Sequence, residues 1–283
     1  MLLKRVCDSP QSQLFFGWMQ KSFMAKNYFS FNPARSKHVT SRQPKKEVSI
    51  LLPAYNEASQ IEKCVRNVEA AVRSFTDSYE IIVSEDGSTD GTDTIVTKMI
   101  KFNPNLVLLH SSTRLGKGKA IKKALYHSKG KYITFMDVDL ATDLACLPKL
   151  LDVVKQNGGM AIGSRHVRGA HVERKFSRTM FSLTYNLFVR LLFFDGIRDH
   201  QCGFKTMSRN VAKAVLSSSM ADGYFFDTEM IVRCKKLGFP VVEVAVNWRE
   251  RHSGRSKVNP IQDAKKIGLD MLAFRFSKKK INQ

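Results

Sequence analysis

Between residues 48 and 164 short apolar runs alternate with segments of helical period, and no other property of the 283-residue chain restricts its fold as much. VSILL at 48 to 52 precedes a predicted helix from about Ser59 to Ser74, in which Ile61, Val65, Val68 and Val72 recur at helical spacing. EIIVS at 80 to 84 leads to a helix from about Asp90 to Ile100, and NLVLLH at 105 to 110 to one from about Gly118 to Ser128. KYITFM at 131 to 136 leads to a helix near 146 to 156, and MAIGS at 160 to 164 closes the series. Strands of unbroken apolar character are buried on both sides, so the repeat implies a parallel sheet covered by helices. In such a sheet ligands sit beyond the carboxyl ends of the strands.

Chemistry gathers at those ends. Strand one runs into Pro53-Ala54-Tyr55-Asn56-Glu57, strand two into Glu85-Asp86-Gly87-Ser88-Thr89-Asp90-Gly91, strand four into Asp137-Val138-Asp139 and strand five into Gly163-Ser164-Arg165. Strand residues i and i+2 project to the same side, which brings the carboxylates of Asp137 and Asp139 together. Like charges that close repel, and one stays protonated unless a cation lies between them. The doublet reads equally as a metal site and as an ordinary loop leading to Asp143 as a helix cap. Acids at three neighbouring strand ends, with one arginine, suit a ligand combining a base or ribose, a diphosphate and a metal ion. Asp86 and Glu57 suit the base or ribose, and Tyr55 the face of the base. EDGSTDG also reads as a glycine-rich turn with Asp90 or Thr89 capping a helix. Arg114-Leu115-Gly116-Lys117-Gly118-Lys119-Ala120 is similar to a phosphate loop at a helix N-terminus, although its spacing fits neither GxGxxG nor the P-loop. Phosphate contact and a plain glycine-rich helix start both stay open for it.

The second half has a different texture. FSRTMFSLTYNLFVRLLFF at 176 to 194 predicts a long helix, apolar almost all round towards its end. VVEVAVNW at 241 to 248 predicts a strand, and 260 to 276 a last amphipathic helix bearing Lys265, Lys266 and Arg275. No stretch reaches the ~18 consecutive apolar residues of a membrane-spanning helix, so no spanning segment is expected in the chain. The formal charge of +21 favours polyanions: nucleic acid, anionic headgroups or phosphorylated small molecules. Residues 1 to 46 hold nine basic side chains against Asp8 alone. Lacking any sustained period, they read as a flexible basic extension to a domain over 47 to 283, with Phe15, Phe16 and Trp18 as a weak interfacial anchor. The five cysteines, at 7, 64, 146, 202 and 234, offer no CxxC pair or zinc pattern and read as reduced thiols in a cytosolic setting.

PAYNE, EDGSTDGT, RLGKGKA, DVD and GSR, in this order and at these distances, resemble family 2 of the inverting nucleotide-sugar glycosyltransferases. The resemblance runs from Val48 to about residue 276 and implies an α/β domain of GT-A fold. That is a mostly parallel, Rossmann-like sheet flanked by helices, with C-terminal helices on the acceptor side. HVERKFSR at 171 to 178, RDHQCGFK at 198 to 205, FFDTEM at 225 to 230, and VAVNW followed by GRSK at 254 to 257 resemble the polyprenyl-phosphate branch. Within it they are more similar to the dolichyl-phosphate β-glucosyltransferases than to the dolichyl-phosphate mannose synthases. The resemblance implies nucleotide-sugar contacts at Pro53, Tyr55, Glu57, Ser84, Asp86, Asp137, Val138, Asp139, Arg165, Arg251 and Lys257. It implies Mg²⁺ or Mn²⁺ against Asp137 and Asp139, and a catalytic set of Asp139, Arg165, Arg251 and Lys257. Some members carry a glutamine metal ligand two residues beyond the second Asp; here that place is Ala141, which implies a looser hold with water in the gap. Eukaryotic glucosyl enzymes of the branch have a membrane segment before the catalytic domain. Residues 1 to 46 show no comparable apolar run, so the expected attachment is peripheral, on the cytoplasmic side of a membrane.

The implied activity moves a hexose, glucose from UDP-glucose in the first instance, onto a polyprenyl (dolichyl) phosphate. GDP-mannose as donor and a sugar hydroxyl as acceptor are the alternatives. A phosphate monoester is already anionic, with a second pKa of about 6, so it needs no general base. A hydroxyl acceptor needs a carboxylate to take its proton, and Asp199, Asp227 and Glu229 are the candidates. Arg165, Arg251 and Lys257 are the cations expected to offset the leaving diphosphate, although RERHSGRSK also reads as a solvated basic loop. Arg168, Arg174, Lys175 and Arg178 form a basic mouth ahead of the apolar helix, suited to a phosphate headgroup with an isoprenoid tail. A core helix or a dimer contact would use the same sequence. A nucleic-acid module interleaves basic and aromatic residues on one face, whereas the basic residues here flank the proposed site, so no nucleic-acid partner is expected. A sugar-nucleotide pyrophosphorylase carries a glycine-rich N-terminal turn that PAYNE does not resemble.

Overall fold

The computed structural model describes residues 45–217, 221, 223, 225–250 and 260–276. In chain order the elements are β1 (Lys46–Ala54), α1 (Ile61–Arg73), β2 (Tyr79–Glu85), α2 (Thr92–Ile100), β3 (Leu106–Leu109), α3 (Lys117–His127), β4 (Gly130–Phe135), α4 (Leu147–Asn157) and β5 (Met160–Ser164). They continue with β6 (His171–Glu173), α5 (Phe176–Phe193), β7 (Lys205–Ser208), α6 (Arg209–Ser217), α7 (Phe226–Lys236), β8 (Val241–Ala245), β9 (Asn247–Arg249) and α8 (Pro260–Phe276).

Seven strands form one sheet in the order β3-β2-β1-β4-β7-β5-β8, and β6 pairs with β9 in a small parallel ribbon beside it. Alternation along β1 sorts its side chains between two cores. Ile50 and Leu52 face Val65 and Val68 of α1 and Leu150 and Val154 of α4. Leu51 faces the other way, towards Ile121 of α3, Val211 of α6 and Met230 of α7. Both faces are therefore covered, as the apolar strand runs require, and the predicted elements of residues 48 to 164 form within two residues of their expected bounds.

The regular series is interrupted in one place. β7 inserts antiparallel between β4 and β5, with Lys205 opposite both Phe135 and Ile162. A four-residue strand, KTMS, with a fully buried lysine at its start gives no apolar run to read. VVEVAVNW is two strands rather than one: after Ala245 the chain leaves the main sheet and pairs with β6. α5 is not a core helix, because Phe176, Phe181, Leu187 and Leu191 are exposed and only Asn186 and Val189 of its residues are buried. Lys46 begins β1 and so belongs to the sheet rather than to the extension. Cys64, Cys146, Cys202 and Cys234 are free thiols, and Cys7 lies outside the described residues.

Candidate active site

The loops after β1 and β2 are tied together by short polar side chains. Asn56, at φ +53°, donates its N–H to Ser88 Oγ at 2.9 Å, and its Oδ1 accepts the Thr89 N–H at 2.8 Å. Asp90 accepts the N–H groups of Ala58 and Thr92, so it bridges the two loops while Gly91, at φ +88°, caps α2. EDGSTDG is thus a turn that ties the two loops together, with Gly91 rather than Asp90 or Thr89 at the N-cap of α2. The Asp86 carboxylate accepts the Leu115 N–H at 2.6 Å and the Gly116 N–H at 3.0 Å. Those two bonds anchor the RLGKGKA loop, and the Arg114 guanidinium stacks 4.1 Å from the centre of the Tyr55 ring. Ser84 Oγ is buried and has no hydrogen-bond partner among the described residues.

β4 ends at Phe135, and the acidic doublet lies in the turn just beyond it. Asp139 accepts the Ala141 N–H at 3.0 Å, and Leu140 between them adopts φ +49°, a left-handed conformation that a leucine rarely takes. Strain of this kind persists where the surroundings hold it and is common at functional sites. Here the Arg249 N–H bonds to Ala141 O at 2.9 Å, pinning the turn against β9. Burial, with Asp137 and Glu57 adding like charge, pushes the Asp139 carboxyl above its ordinary range. Asp137 has a side chain 45% exposed, and its Oδ1 lies 2.9 Å from Lys117 Nζ. Gly203 packs against its other oxygen so closely that a Cβ there would fall 1.9 Å from Asp137 Oδ2.

These carboxylates open onto a cavity of about 100 Å³ that is also lined by Arg165, Gln201, Gly203 and Trp248. Arg165 is held by a bidentate pair, Nε to Asp199 Oδ2 at 2.7 Å and Nη2 to Asp199 Oδ1 at 2.8 Å. Asp199 also accepts the backbone N–H groups of Arg165, Gln201 and Cys202. Burial opposes its charge, but the Arg165 charge and these bonds hold the Asp199 carboxyl well below the usual range. Asp227, at the start of α7, meets Lys205 Nζ at 2.6 Å and Lys117 Nζ at 3.0 Å. Burial pushes its carboxyl up, and the two ammonium groups more than reverse that. Glu229 pairs with Arg233 at 2.6 Å and accepts the Ala221 N–H.

The fold therefore brings Tyr55, Glu57, Asp86, Asp137, Val138, Asp139 and Arg165 to one edge of the sheet, with Pro53 and Ser84 paired in register just behind them. Arg251 and Lys257 lie outside the described residues. Sequence reasoning missed Lys117 as a site group, although RLGKGKA had been singled out, because the helix it starts gave no hint that its side chain crosses to Asp137 and Asp227. It also missed Gly203 and Trp248 as lining residues, although RDHQCGFK and VVEVAVNW had been noted, because neither segment shows which residues of the doublet it packs against.

The donor set suits a divalent cation held jointly with a substrate. Among the described residues no three His, Cys, Asp or Glu side chains converge as a self-sufficient metal centre. Mg²⁺ is commonly bound by one or two carboxylates plus substrate phosphates, which is what Asp137 and Asp139 offer.

A mostly parallel sheet with one inserted antiparallel strand and a carboxylate doublet at its carboxyl edge defines a GT-A glycosyltransferase fold. A solved structure of glucosyl-3-phosphoglycerate synthase from Mycobacterium tuberculosis, in complex with Mn²⁺, UDP and glucosyl-3-phosphoglycerate, shares that fold. Its TM-score is 0.58 at 20% identity, over 81% of this chain and 80% of that one. The chain belongs to glycosyl transferase family 2, which it matches over residues 49–216. It is 33% identical over 243 residues to a dolichyl-phosphate beta-glucosyltransferase of Dictyostelium discoideum, covering 81% of this chain and 74% of that one. It is 38% identical over 229 residues to the glycosyltransferase AglD of Haloferax volcanii, covering 80% of this chain but only 36% of that longer protein.

Proposed function

We propose that this protein transfers glucose from UDP-glucose to a polyprenyl phosphate of the dolichyl type, inverting the anomeric carbon. The observation that carries this reading is the state of the three acceptor-side carboxylates. Asp199 is spent on Arg165, Asp227 on Lys117 and Lys205, and Glu229 on Arg233. A carboxylate bound by a buried cation is a poor proton acceptor. A hydroxyl acceptor would need such a base, whereas a phosphate monoester arrives already ionised. The name of the Dictyostelium relative supports the same acceptor.

In this reading an acceptor phosphate oxygen attacks the anomeric carbon as the bond to UDP breaks, and the bonding pair leaves on the β-phosphate oxygen. Tyr55, Glu57, Ser84 and Asp86 receive the nucleoside, with Pro53 and Val138 shaping the backbone around it. Asp137 and Asp139 are the residues that would hold Mg²⁺ or Mn²⁺, which would supply positive charge against the leaving diphosphate. Arg165, fixed by Asp199, faces the same cavity, with Arg251 and Lys257 assigned to the same task. The membrane side is α5, where Phe176, Phe181, Leu187 and Leu191 are exposed, together with Leu269, Leu272 and Phe276 of α8. Basic residues Arg174, Lys175 and Arg178 lie where α5 begins. No helix among the described residues is long and apolar enough to cross a membrane. We assign peripheral attachment, on the cytoplasmic side, to this exposed apolar face and the basic residues beside it.

The test incubates purified protein and Mg²⁺ or Mn²⁺ with UDP and GDP sugars and dolichyl phosphate, and reads the organic phase by mass spectrometry. A glucosyl phospholipid formed from UDP-glucose is expected. Transfer only to water-soluble acceptors overturns the lipid assignment, and mannose transfer from GDP-mannose alone overturns the donor.

A further inference from the structure

We infer that Lys117 is an internal placeholder cation: it neutralises Asp137 before metal and donor arrive, and shifts its bond entirely onto Asp227 when they bind. The inference rests on the metal reading of the acidic doublet given above.

Lys117 is the first residue of α3, where a positive charge opposes the helix dipole, so helix formation is not what favours it there. Its ammonium lies between two carboxylates from distant elements, 2.9 Å from Asp137 Oδ1 and 3.0 Å from Asp227 Oδ2. Asp227 in turn is fixed by Lys205, whose Nζ also bonds to Cys202 O at 2.6 Å. Asp227 therefore does not follow Lys117 if the lysine moves; it is a fixed post. Asp139 forms no ion pair among the described residues, so the doublet as it stands is half neutralised.

A divalent cation entering the doublet competes with this ammonium for Asp137. The competition leaves Asp137 and Asp139 compatible while the site is empty of donor, which they would not be as two bare neighbouring carboxylates. Because Lys117 already touches Asp227, it need not return to water, and only one of its two bonds is given up. Metal affinity is thereby kept low until a diphosphate supplies further oxygens, so metal and nucleotide sugar bind as a pair. Lys117 is a positioning residue in this account, acting through Asp137.

The test measures Mn²⁺ affinity of the full chain without nucleotide, from the electron paramagnetic resonance signal of free Mn²⁺. Lys117→Met keeps the length of the side chain and removes the competing charge. It is expected to bind Mn²⁺ about ten-fold more tightly or better, as loss of one like charge at this range implies. The tightening that UDP produces in wild type should shrink in this variant, and Lys117→Arg should behave as wild type does. A folded Lys117→Met protein that binds Mn²⁺ no more tightly than wild type overturns the inference, since a merely structural lysine would weaken the site or leave it unchanged. If that variant does not fold, a crystal structure of wild type with Mn²⁺ and UDP decides: Lys117 on Asp227 alone supports the inference, and Lys117 still on Asp137 beside bound metal overturns it. Wild type that takes up no Mn²⁺ even with UDP defeats the metal reading itself, and this inference with it.

Discussion

The carboxylates of the donor half and those of the acceptor half are satisfied in different ways. Up to residue 164 the strand-end acids are held mainly by backbone N–H groups: Asp86 by Leu115 and Gly116, Asp90 by Ala58 and Thr92, Asp139 by Ala141. Beyond it they are held by side-chain cations: Asp199 by Arg165, Asp227 by Lys117 and Lys205, Glu229 by Arg233, Glu250 by Arg178. A backbone N–H orients a carboxylate without cancelling its charge, and each oxygen keeps a lone pair for a metal or a sugar hydroxyl. An arginine or lysine cancels the charge and turns the same group into scaffold. Asp137 is the exception, a donor-half acid that meets a cation, Lys117, shared with the acceptor half; the other acids divide into those left charged towards the cavity edge and those cancelled as scaffold.

The contrast breaks first at the doublet. Replacing Asp137 and Asp139 together by alanine should cut glucosyl transfer by about 10³-fold or more. The melting temperature should fall little, because Asp139 is a charge raised in energy by burial, and an assay paired with a melt checks both. On the other side, Asp199→Asn should act on stability. It leaves Arg165 buried and unpaired, at a cost of about 3–5 kcal/mol read from denaturant midpoints. The pH course distinguishes the two kinds of acid further. The Asp199 carboxyl is depressed in the folded state, so its contribution is complete above the ordinary carboxylate pKa of about 4 and is lost as pH falls below it towards the folded value. Wild type should lose stability below about pH 4, and Asp199→Asn should lose less over the same range.

Asp227→Asn sharpens the comparison with a smaller effect. As scaffold it should lower turnover by no more than about ten-fold, against the 10²–10⁴ expected for a general base. Complete loss of transfer in a folded variant would restore the hydroxyl acceptor. Smallest on the folded protein is a double change on α5, Phe181→Glu with Leu187→Glu. Both side chains are exposed, so stability should move by no more than about 0.5 kcal/mol, while retention on anionic vesicles is lost. Unchanged vesicle binding would remove α5 as the membrane face.

Much of the donor half was legible because its periodicity and its chemistry coincide. Ile61, Val65, Val68 and Val72 mark α1 by spacing alone, and each strand hands over to its polar residues at the expected edge. Asp137 and Asp139 were recognisable from their place at the end of an apolar run, although strand alternation does not reach them: β4 stops at Phe135 and the doublet sits in the turn beyond it. The acceptor half obeys no such rule. Lys205 is wholly buried in a four-residue strand, and its environment is set by Asp227 on a helix that begins more than one element later. The link from Lys117 to Asp227 spans 110 residues, and no local pattern encodes a pairing of that kind. The exposed face of α5 was ambiguous for a related reason: apolar residues all round a helix suit a core, a dimer contact and a lipid surface alike, and the exposure of Phe176, Phe181, Leu187 and Leu191 excludes the first.

Gly203 carries a last lesson. The space that an added methyl group would take is already filled by the Asp137 carboxylate, with 1.9 Å between the two positions. A change from glycine to alanine alters neither charge nor polarity, and any scale that ranks replacements by chemical similarity would pass it as harmless. Yet it would force the Asp137 carboxylate out of its seat, so one hydrocarbon group on a loop outside the helices and strands would rearrange the acidic doublet.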